Sequence, residues 1–197
     1  VCMHNLPLFV LDLAASFVLA AGASCRARST GAHFSGAAVL ACLAGMAAPL
    51  VRDGLLGFAA LTLNQGEYLG ACVCGGIVGV LIGQGSRGWL SFYWLDALGL
   101  ALGAGVGTVK GAMAGLGPTG SILVGVLGGL VGGLVRDLCL GDMARVVEED
   151  TYATAAALGG MLTIAMLLFT ALPQWQSALC GAVLILGLRG VRKFKFS

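Results

Sequence analysis

The chain repeats one pattern of residues 84 positions apart, within a sequence that is too apolar for a soluble protein. The two copies align without any insertion or deletion, so two copies of one structural unit explain the matches better than coincidence does. The matching segments are Leu11-Asp12 and Leu95-Asp96, Leu50 to Asp53 and Leu134 to Asp137, Leu56-Gly57 and Leu140-Gly141, Tyr68 and Tyr152, and Gly75-Gly76 and Gly159-Gly160. Any fold of this chain must therefore contain the same unit twice, with an Arg-Asp pair in apolar surroundings each time.

The composition is typical of an integral membrane protein. Hydrophobic residues make up 58% of the chain and charged residues only 10%, against about 25% charged residues in soluble domains, and the mean hydropathy is +0.97. The 33 glycines lie within apolar runs, where they favour close packing of helices in lipid. We therefore expect a single membrane domain over residues 1–197, without a cofactor, metal or nucleic-acid partner. The seven cysteines are interpreted as small residues of membrane helices.

Seven stretches of the chain are long and apolar enough to form transmembrane helices, since about 20 residues cross the hydrocarbon core. The segments between them contain Gly, Pro, Asn, Gln and charged residues, which are typical of loops. The predicted helices span about residues 7–25, 34–57, 67–85, 92–112, 119–141, 151–171 and 175–190. The first repeat (about 8–85) and the second (about 92–171) therefore hold three helices each, and the seventh helix lies outside the repeat.

An odd number of helices in each repeat predicts that the two halves are inverted in the membrane. The second copy must then enter the bilayer from the opposite face, which creates a pseudo-twofold axis in the membrane plane. Cytoplasmic loops collect Lys and Arg. The basic residues in the loops and tail all fall on one predicted side, and they are Arg26, Arg28, Arg87, Arg145, Arg189, Arg192, Lys193 and Lys195. We therefore expect the amino terminus outside and the carboxyl terminus in the cytoplasm.

The second and fifth predicted helices contain helix-weakening residues just before their Arg-Asp pairs. These residues are Gly45 and Pro49 in the second helix, and Gly128, Gly129, Gly132 and Gly133 in the fifth. Proline removes a backbone donor and clashes with the preceding turn, and paired glycines weaken a helix. Irregular backbone at membrane depth is buried in protein or lines a cavity. We therefore expect both helices to be broken beside a permeation or binding site.

The charged residues of these two helices are costly in lipid, and they are Arg52, Asp53, Arg136 and Asp137. Each costs roughly 2.5–3.5 kcal/mol at the bilayer centre, so each must pair or face water. Because adjacent helical residues point about 100° apart, we expect each Arg to bond to another helix. Two interpretations stay open: ion pairs that lock helices together, with Asp12 and Asp96 as further partners, or charges that set the field along an aqueous path. For Lys110, snorkelling to the interface and gating of a pore both stay open.

In both copies an Asp near the start of one helix is followed by a Gly-rich stretch that runs into Arg-Asp. Over about residues 8–170 this pattern resembles the trimeric intracellular cation (TRIC) channel family in its short prokaryotic form. The resemblance implies seven helices and a homotrimer surrounded by lipid in a prokaryotic plasma membrane. It implies a pore in each protomer that passively conducts monovalent cations, chiefly potassium, with sodium also permeant. The residues that it implies at the pore or its kinks are Gly45, Arg52, Asp53, Gly128, Gly129, Gly132, Gly133, Arg136 and Asp137, with Lys110 nearby.

Two other classes of function are weighed against a channel. A transporter of a small solute such as glycine is the main alternative, because inverted repeats with broken helices are common in carriers. A membrane enzyme is the least favoured class, because no His, Ser or Glu constellation accompanies the Arg-Asp pairs. We therefore expect a channel and no enzymatic activity.

Overall fold

The computed structural model describes residues 5–58, 61–83, 88–170 and 172–195, and the side chains of all of these except residues 61, 88–91 and 192–195. Every regular element in this part of the chain is an α-helix. The helices are α1 (Leu6–Ser29), α2 (Phe34–Leu55), α3 (Leu61–Asn64), α4 (Gly66–Gly83), α5 (Gly88–Met113), α6 (Pro118–Leu140), α7 (Arg145–Glu148), α8 (Asp150–Phe169) and α9 (Gln174–Lys195). Seven long helices thus lie where the sequence predicts seven, and α3 and α7 are short additions in the loops.

The chain is an integral membrane protein. Within the described residues, α1, α2, α4, α6 and α8, together with residues Phe92–Met113 of α5, are long and apolar enough to cross a bilayer. Many of their large apolar side chains point out of the protein, as expected of surfaces that face lipid rather than water. The helix α9 is not one of these six candidate spans.

Four glycines end helices at equivalent places in the two copies. Gly31 and Gly115 follow α1 and α5 with φ of 87° and 85°, and Gly57 and Gly141 follow α2 and α6 with φ of 71° and 70°. Residues with a side chain rarely adopt these left-handed angles, whereas glycine does so without steric cost. The repeated Leu-Gly dipeptides are therefore explained by the stops of α2 and α6.

The prediction that the second and fifth membrane helices are broken is wrong. Both α2 and α6 are uninterrupted helices, and Pro49 lies inside α2. A proline removes only one backbone hydrogen bond, and glycines lower helix propensity by about 1 kcal/mol each, so tertiary packing can hold both helices together. The glycines of α6 serve this packing, because several face the backbone of a neighbouring helix.

Glycines bring two pairs of helices into backbone contact. On α4, a Cβ atom added at Gly75 or Gly79 would lie 2.3 Å from Phe17 O or 2.1 Å from Ala21 O of α1. Between α5 and α6, a Cβ atom at Gly107 would lie 2.9 Å from the Cα atom of Gly125. Any larger residue would force these helices apart, so the prediction that glycines allow close packing of the helices is confirmed.

The helices α1 and α5 pack against each other in antiparallel orientation at the centre of the protein. Leu8, near the start of α1, shares an apolar cluster with Val106 and Val109, near the end of α5. A Cβ atom at Gly99, earlier on α5, would instead meet Leu19, further along α1. The helices α2 and α6 also pack together, and α9 packs against α5 and α8.

Candidate functional site: two buried charge clusters

The buried charged residues of the described chain form two separate clusters. The first cluster consists of Asp12, Arg52, Asp53, Thr62, Tyr68 and Lys110, and the second consists of Asp96, Arg136, Asp137, Arg145, Glu149, Tyr152 and Arg189. Lys110 of the first cluster and Asp96 of the second both lie on α5. At a rise of about 1.5 Å per residue they are about 21 Å apart along its axis, which is most of the thickness of a hydrocarbon core.

In the first cluster Asp12 is the common acceptor. Arg52 donates from Nη1 to Asp12 Oδ1 at 2.6 Å and from Nη2 to Oδ2 at 2.8 Å, a bidentate pairing between α1 and α2. Asp12 Oδ2 also accepts from the Tyr68 hydroxyl and from Lys110 Nζ, each at 2.5 Å. Arg52 Nε donates to the neighbouring Asp53 at 2.9 Å. One carboxylate thus joins four helices.

In the second cluster Asp96 takes the same central position. Arg136 donates from Nη1 to Asp96 Oδ1 at 2.5 Å and from Nε to Asp137 Oδ1 at 2.7 Å. The Tyr152 hydroxyl donates to Asp96 Oδ1 at 3.1 Å, and Arg189 of α9 donates from Nη1 to Asp96 Oδ2 at 3.0 Å. The pairs Asp12–Arg52, Arg52–Asp53 and Tyr68–Asp12 therefore recur one repeat later with the same chemistry.

Ion pairs, one of the two interpretations left open for these charges, are present in both clusters, and one detail of the prediction is corrected. Each Arg bonds to an Asp on another helix, as expected, and Asp12 and Asp96 are those partners. Each Arg also bonds to the Asp that follows it, although adjacent helical side chains diverge. The long Arg stem lets Nε turn back while the two Nη atoms reach across, because the guanidinium carries donors on three nitrogens.

Charge balance makes these clusters tolerable in apolar surroundings. The first pairs two carboxylates with Arg52 and Lys110, and the second pairs three carboxylates with three arginines. All the aspartates and arginines in them are less than a tenth exposed. Removing one member would leave an uncompensated buried charge, which costs far more than an intact pair contributes.

The prediction places Arg145 and Arg189 among the solvated basic residues on one side of the membrane, and the structure corrects this placement. Both are buried, at 7% and 0% exposed, and both take part in the second cluster. The Arg145 backbone N–H donates to Asp137 Oδ2 at 3.1 Å, and its guanidinium lies 3.6 Å from Asp96. Of the other predicted basic residues, Arg87 and the side chains of Arg192, Lys193 and Lys195 lie outside the described part of the chain.

The predicted kink glycines lie at helix contacts beside the clusters. A Cβ atom at Gly128 would lie 3.7 Å from Arg52 Cβ, and one at Gly133 would lie 2.8 Å from the Tyr152 hydroxyl. Gly132 faces the backbone oxygen of Ala44 on α2. The contacts of the remaining two are the backbone of α5 for Gly129, and Cys72 together with the backbone of α1 for Gly45. These glycines thus let α6 approach α2 and α5 where the arginines must be accommodated.

A cavity of about 190 Å³ lies against the second cluster. Its lining consists of Arg26, Phe92, Asp137, Asp142, Met143, Arg145 and Glu148. The Phe92 ring is 2% exposed, and the guanidinium carbons of Arg136 and Arg145 lie 4.6 and 4.4 Å from its centroid. Arg26 donates to Asp142 Oδ2 from Nε at 3.0 Å and from Nη2 at 2.8 Å, so it joins α1 to the segment after α6.

Asp142→Asn is expected to lower the free energy of unfolding by only about 0–1 kcal/mol. The side chains of Arg26 and Asp142 are 20% and 33% exposed, so solvent and salt screen the pair. Unfolding of the purified protein in mixed micelles, followed at low and at high salt, measures the change. A loss that is larger than this range and does not shrink at high salt would contradict the expectation.

The sequence prediction did not assign six members of the clusters to the site: Thr62, Tyr68, Arg145, Glu149, Tyr152 and Arg189. Tyr68 and Tyr152 could have been identified from the sequence, because they match in the repeat and because helix packing alone does not require their hydroxyl groups. Arg189 has no such signal, since α9 lies outside the repeat. Its burial follows only from the packing of α9 against α5 and α8.

Comparison with known proteins identifies a family model and curated proteins that are similar to part of this chain. The family model described as glycine transporter matches residues 93–167. The UPF0126 inner membrane protein YadS of Escherichia coli (strain K12) is 28% identical over 95 residues, which are 48% of this chain and 46% of that protein. The same identity and coverage are found with YadS of Escherichia coli O6:H1. The chain thus matches about half the length of these curated relatives.

Solved structures match over nearly the whole chain. The TRIC trimeric intracellular cation channel orthologue from Rhodobacter sphaeroides has a TM-score of 0.87 at 24% identity, over 95% of this chain and 97% of that one. A prokaryotic TRIC channel crystallised in 0.5 M KCl has a TM-score of 0.86 at 24% identity, with the same coverage. The resemblance indicated by the repeated Arg-Asp motif is therefore confirmed at the level of the fold: this chain has the fold of the TRIC cation channels.

Proposed function

We propose that this protein is a cation channel of the plasma membrane of a prokaryote. It conducts potassium, and also sodium, passively through a pore in each protomer of a homotrimer embedded in membrane lipid. The observation that carries the proposal is the TRIC fold over 95% of the chain, with a TM-score of 0.87 to a trimeric channel. The relation to an inner membrane protein supports the location.

The proposed topology has seven transmembrane helices, with α9 as the seventh and the two repeats inverted. The antiparallel pairing of α1 with α5 supports the inversion, because these helices are equivalent in the two copies. So does the position of the clusters, since one lies near the end of α5 and the other near its beginning. In this topology the amino terminus and the first cluster are outside, and the second cluster and the carboxyl terminus face the cytoplasm.

The proposed pore runs between the clusters, along the contact of α2 with α6. Both helices are continuous, and Pro49 deprives only one carbonyl, that of Gly45, of its helical donor, so a row of freed carbonyls is not available to cations. The carboxylates of Asp53 and Asp137 are instead the groups that favour cations, and Arg52 and Arg136 restrict how many cations enter. Gly128 and Gly132 bring α6 close to Arg52 and Ala44 of α2 along this contact.

Lys110 is the proposed gate at the outer end. Its Nζ atom bonds to Asp12 Oδ2 at 2.5 Å and lies 4.0 Å from Asp53 Oδ1, so it occupies the site where a cation would meet both carboxylates. Lys110→Met is expected to raise the open probability several-fold and to flatten its voltage dependence, because one charge crossing the field yields about 2.3 kcal/mol per 100 mV. Single-channel recording in planar bilayers measures both quantities. An unchanged open probability would exclude Lys110 as the gate.

Potassium flux from liposomes tests the channel itself. Purified protein in vesicles loaded with potassium is expected to release it rapidly under an imposed voltage, without saturation at high concentration. The match of residues 93–167 to a glycine transporter model favours a second candidate, an ion-coupled carrier of glycine. Saturable uptake of labelled glycine with no potassium current would support the carrier and reject the channel.

A further inference from the structure

We propose that Arg189 is a second gate, which closes the cytoplasmic end of the pore as Lys110 closes the outer end. This inference rests on the proposed channel function and topology. It concerns a residue from the helix that has no counterpart in the repeat. The structure gives Arg189 the equivalent partner residue to that of Lys110, because each cation bonds to the central aspartate of its cluster, Lys110 to Asp12 and Arg189 to Asp96.

The surroundings of Arg189 hold its guanidinium firmly against Asp96. Its side chain is fully buried, with Nη1 3.0 Å from Asp96 Oδ2 and Nη2 3.1 Å from Glu149 Oε2. Its guanidinium carbon lies 4.4 Å from the centroid of the Tyr152 ring and 5.0 Å from that of Tyr93. The Tyr93 hydroxyl donates to the Arg189 backbone oxygen at 2.8 Å. The cation is thereby fixed between α5 and α8.

The repeat alone would assign this position to another residue. Arg26 lies one repeat before Lys110, so a symmetric molecule would direct Arg26 to Asp96. Arg26 instead bonds to Asp142, at the edge of the cavity beside the second cluster. Arg189 of α9 therefore takes the place at Asp96 that the repeat would give to Arg26. The two ends of the pore are then closed by residues from different helices, Lys110 of α5 and Arg189 of α9.

Removing Arg189 leaves Asp96 with Arg136 and Arg145 as its cationic partners. Arg145 is the other cation at the Asp96 Oδ2 atom, and at 3.6 Å it is more distant than Arg189. Asp137 and Arg145 of the second cluster line the cavity, and with one cation fewer the cluster carries a net negative charge that attracts a permeant cation to the cytoplasmic end of the pore. Opening at this end would thus require α9 to move its arginine away from Asp96.

Two gates in series make a quantitative prediction. The channel conducts only when both are open, so the open probability is the product of the two gate probabilities. Lys110 and Asp96, the partner of Arg189, are about 21 Å apart along α5, and sites farther apart than about 7–10 Å usually act independently. The effects of Lys110→Met and Arg189→Gln on the open probability should therefore multiply in the double variant.

Single-channel recording of the four proteins of this cycle tests the proposal. Arg189→Gln is expected to raise the open probability several-fold, Arg189→Lys to keep it near the wild-type value, and the double variant to reach the product of the single effects. Arg28→Gln is the matched control, because Arg28 lies near the end of α1 and bonds only to the Ala32 oxygen among the described contacts. An unchanged or lower open probability in folded Arg189→Gln, or the same increase in Arg28→Gln, would overturn the proposal.

Two further measurements keep the outcome decisive. If Arg189→Gln does not fold, Arg189→Gln combined with Glu149→Gln keeps the cluster neutral, and it must then give the increase. If the wild-type protein carries no current, the channel proposal fails, and hydrogen exchange of α5 and α8 decides the inference. Faster exchange at the cytoplasmic ends of these helices in Arg189→Gln, but not in Arg28→Gln, would support the proposal that Arg189 holds α5 and α8 closed. Equal exchange would reject it.

Discussion

Arg136→Ala is expected to destabilise the protein by about 3–5 kcal/mol. Arg136 is 2% exposed and compensates two buried carboxylates, those of Asp96 and Asp137, at 2.5 and 2.6 Å. Alanine would leave the second cluster with three carboxylates and two arginines, in surroundings where an unpaired charge is poorly solvated. Unfolding in mixed micelles, followed by circular dichroism, measures the loss.

A charge-balanced variant separates this effect from simple loss of packing. Arg136→Gln combined with Asp137→Asn removes one positive and one negative charge, so the cluster stays neutral and both side chains keep hydrogen-bonding groups. We expect this double variant to be clearly more stable than Arg136→Gln alone. Equal stability of the two would mean that charge balance does not hold the cluster together.

Gly79→Val is expected to cost at least about 3 kcal/mol, at or beyond the upper end of overpacking effects. A Cβ atom there would lie 2.1 Å from Ala21 O and 2.2 Å from Ser24 Oγ of α1. Because one obstructing atom belongs to the backbone, α4 would have to move away from α1, and contacts along the whole helix pair would weaken. The same unfolding assay measures the loss, together with the yield of folded protein.

Gly70→Val is the matched control on the same helix. A Cβ atom at Gly70 has no atom within 4 Å among the described residues, and the position is exposed. Both variants make the same chemical change in α4 and carry the same change in helix propensity. A loss at Gly70 as large as that at Gly79 would show that propensity, rather than helix contact, decides the stability of α4.

The length of the apolar runs was sufficient to predict the long helices. All seven predicted spans coincide with helices to within a few residues, because twenty apolar residues between polar loops have few alternatives in lipid. The predicted breaks in α2 and α6 failed because local residue type does not reveal what neighbouring helices contribute. Gly132 faces Ala44 O across the interface, so glycine at this position serves packing rather than interruption.

The charge clusters were predictable only as far as the repeat extends. Asp12 and Arg52 match Asp96 and Arg136 in the alignment, and this match makes Asp12 and Asp96 candidate partners of the two arginines. Arg189 lies in a segment with Lys and Arg neighbours, where a basic residue is ordinarily assigned to the cytoplasmic surface. Its burial depends on contacts with α5 and α8 that the sequence pattern does not encode.

The pairing of each arginine with an earlier aspartate affects how the chain enters a membrane during synthesis. The first two helices already contain Asp12, Arg52 and Asp53. Because Arg52 pairs with both aspartates, this hairpin inserts with one excess negative charge rather than with three unpaired charges. Lys110 cancels that charge only when α5 emerges from the ribosome. The second cluster reaches neutrality only with Arg189, near the end of translation, because its three carboxylates otherwise face only Arg136 and Arg145. A chain released before α9 would retain an unmatched carboxylate in the bilayer, which would expose it to membrane quality-control proteases.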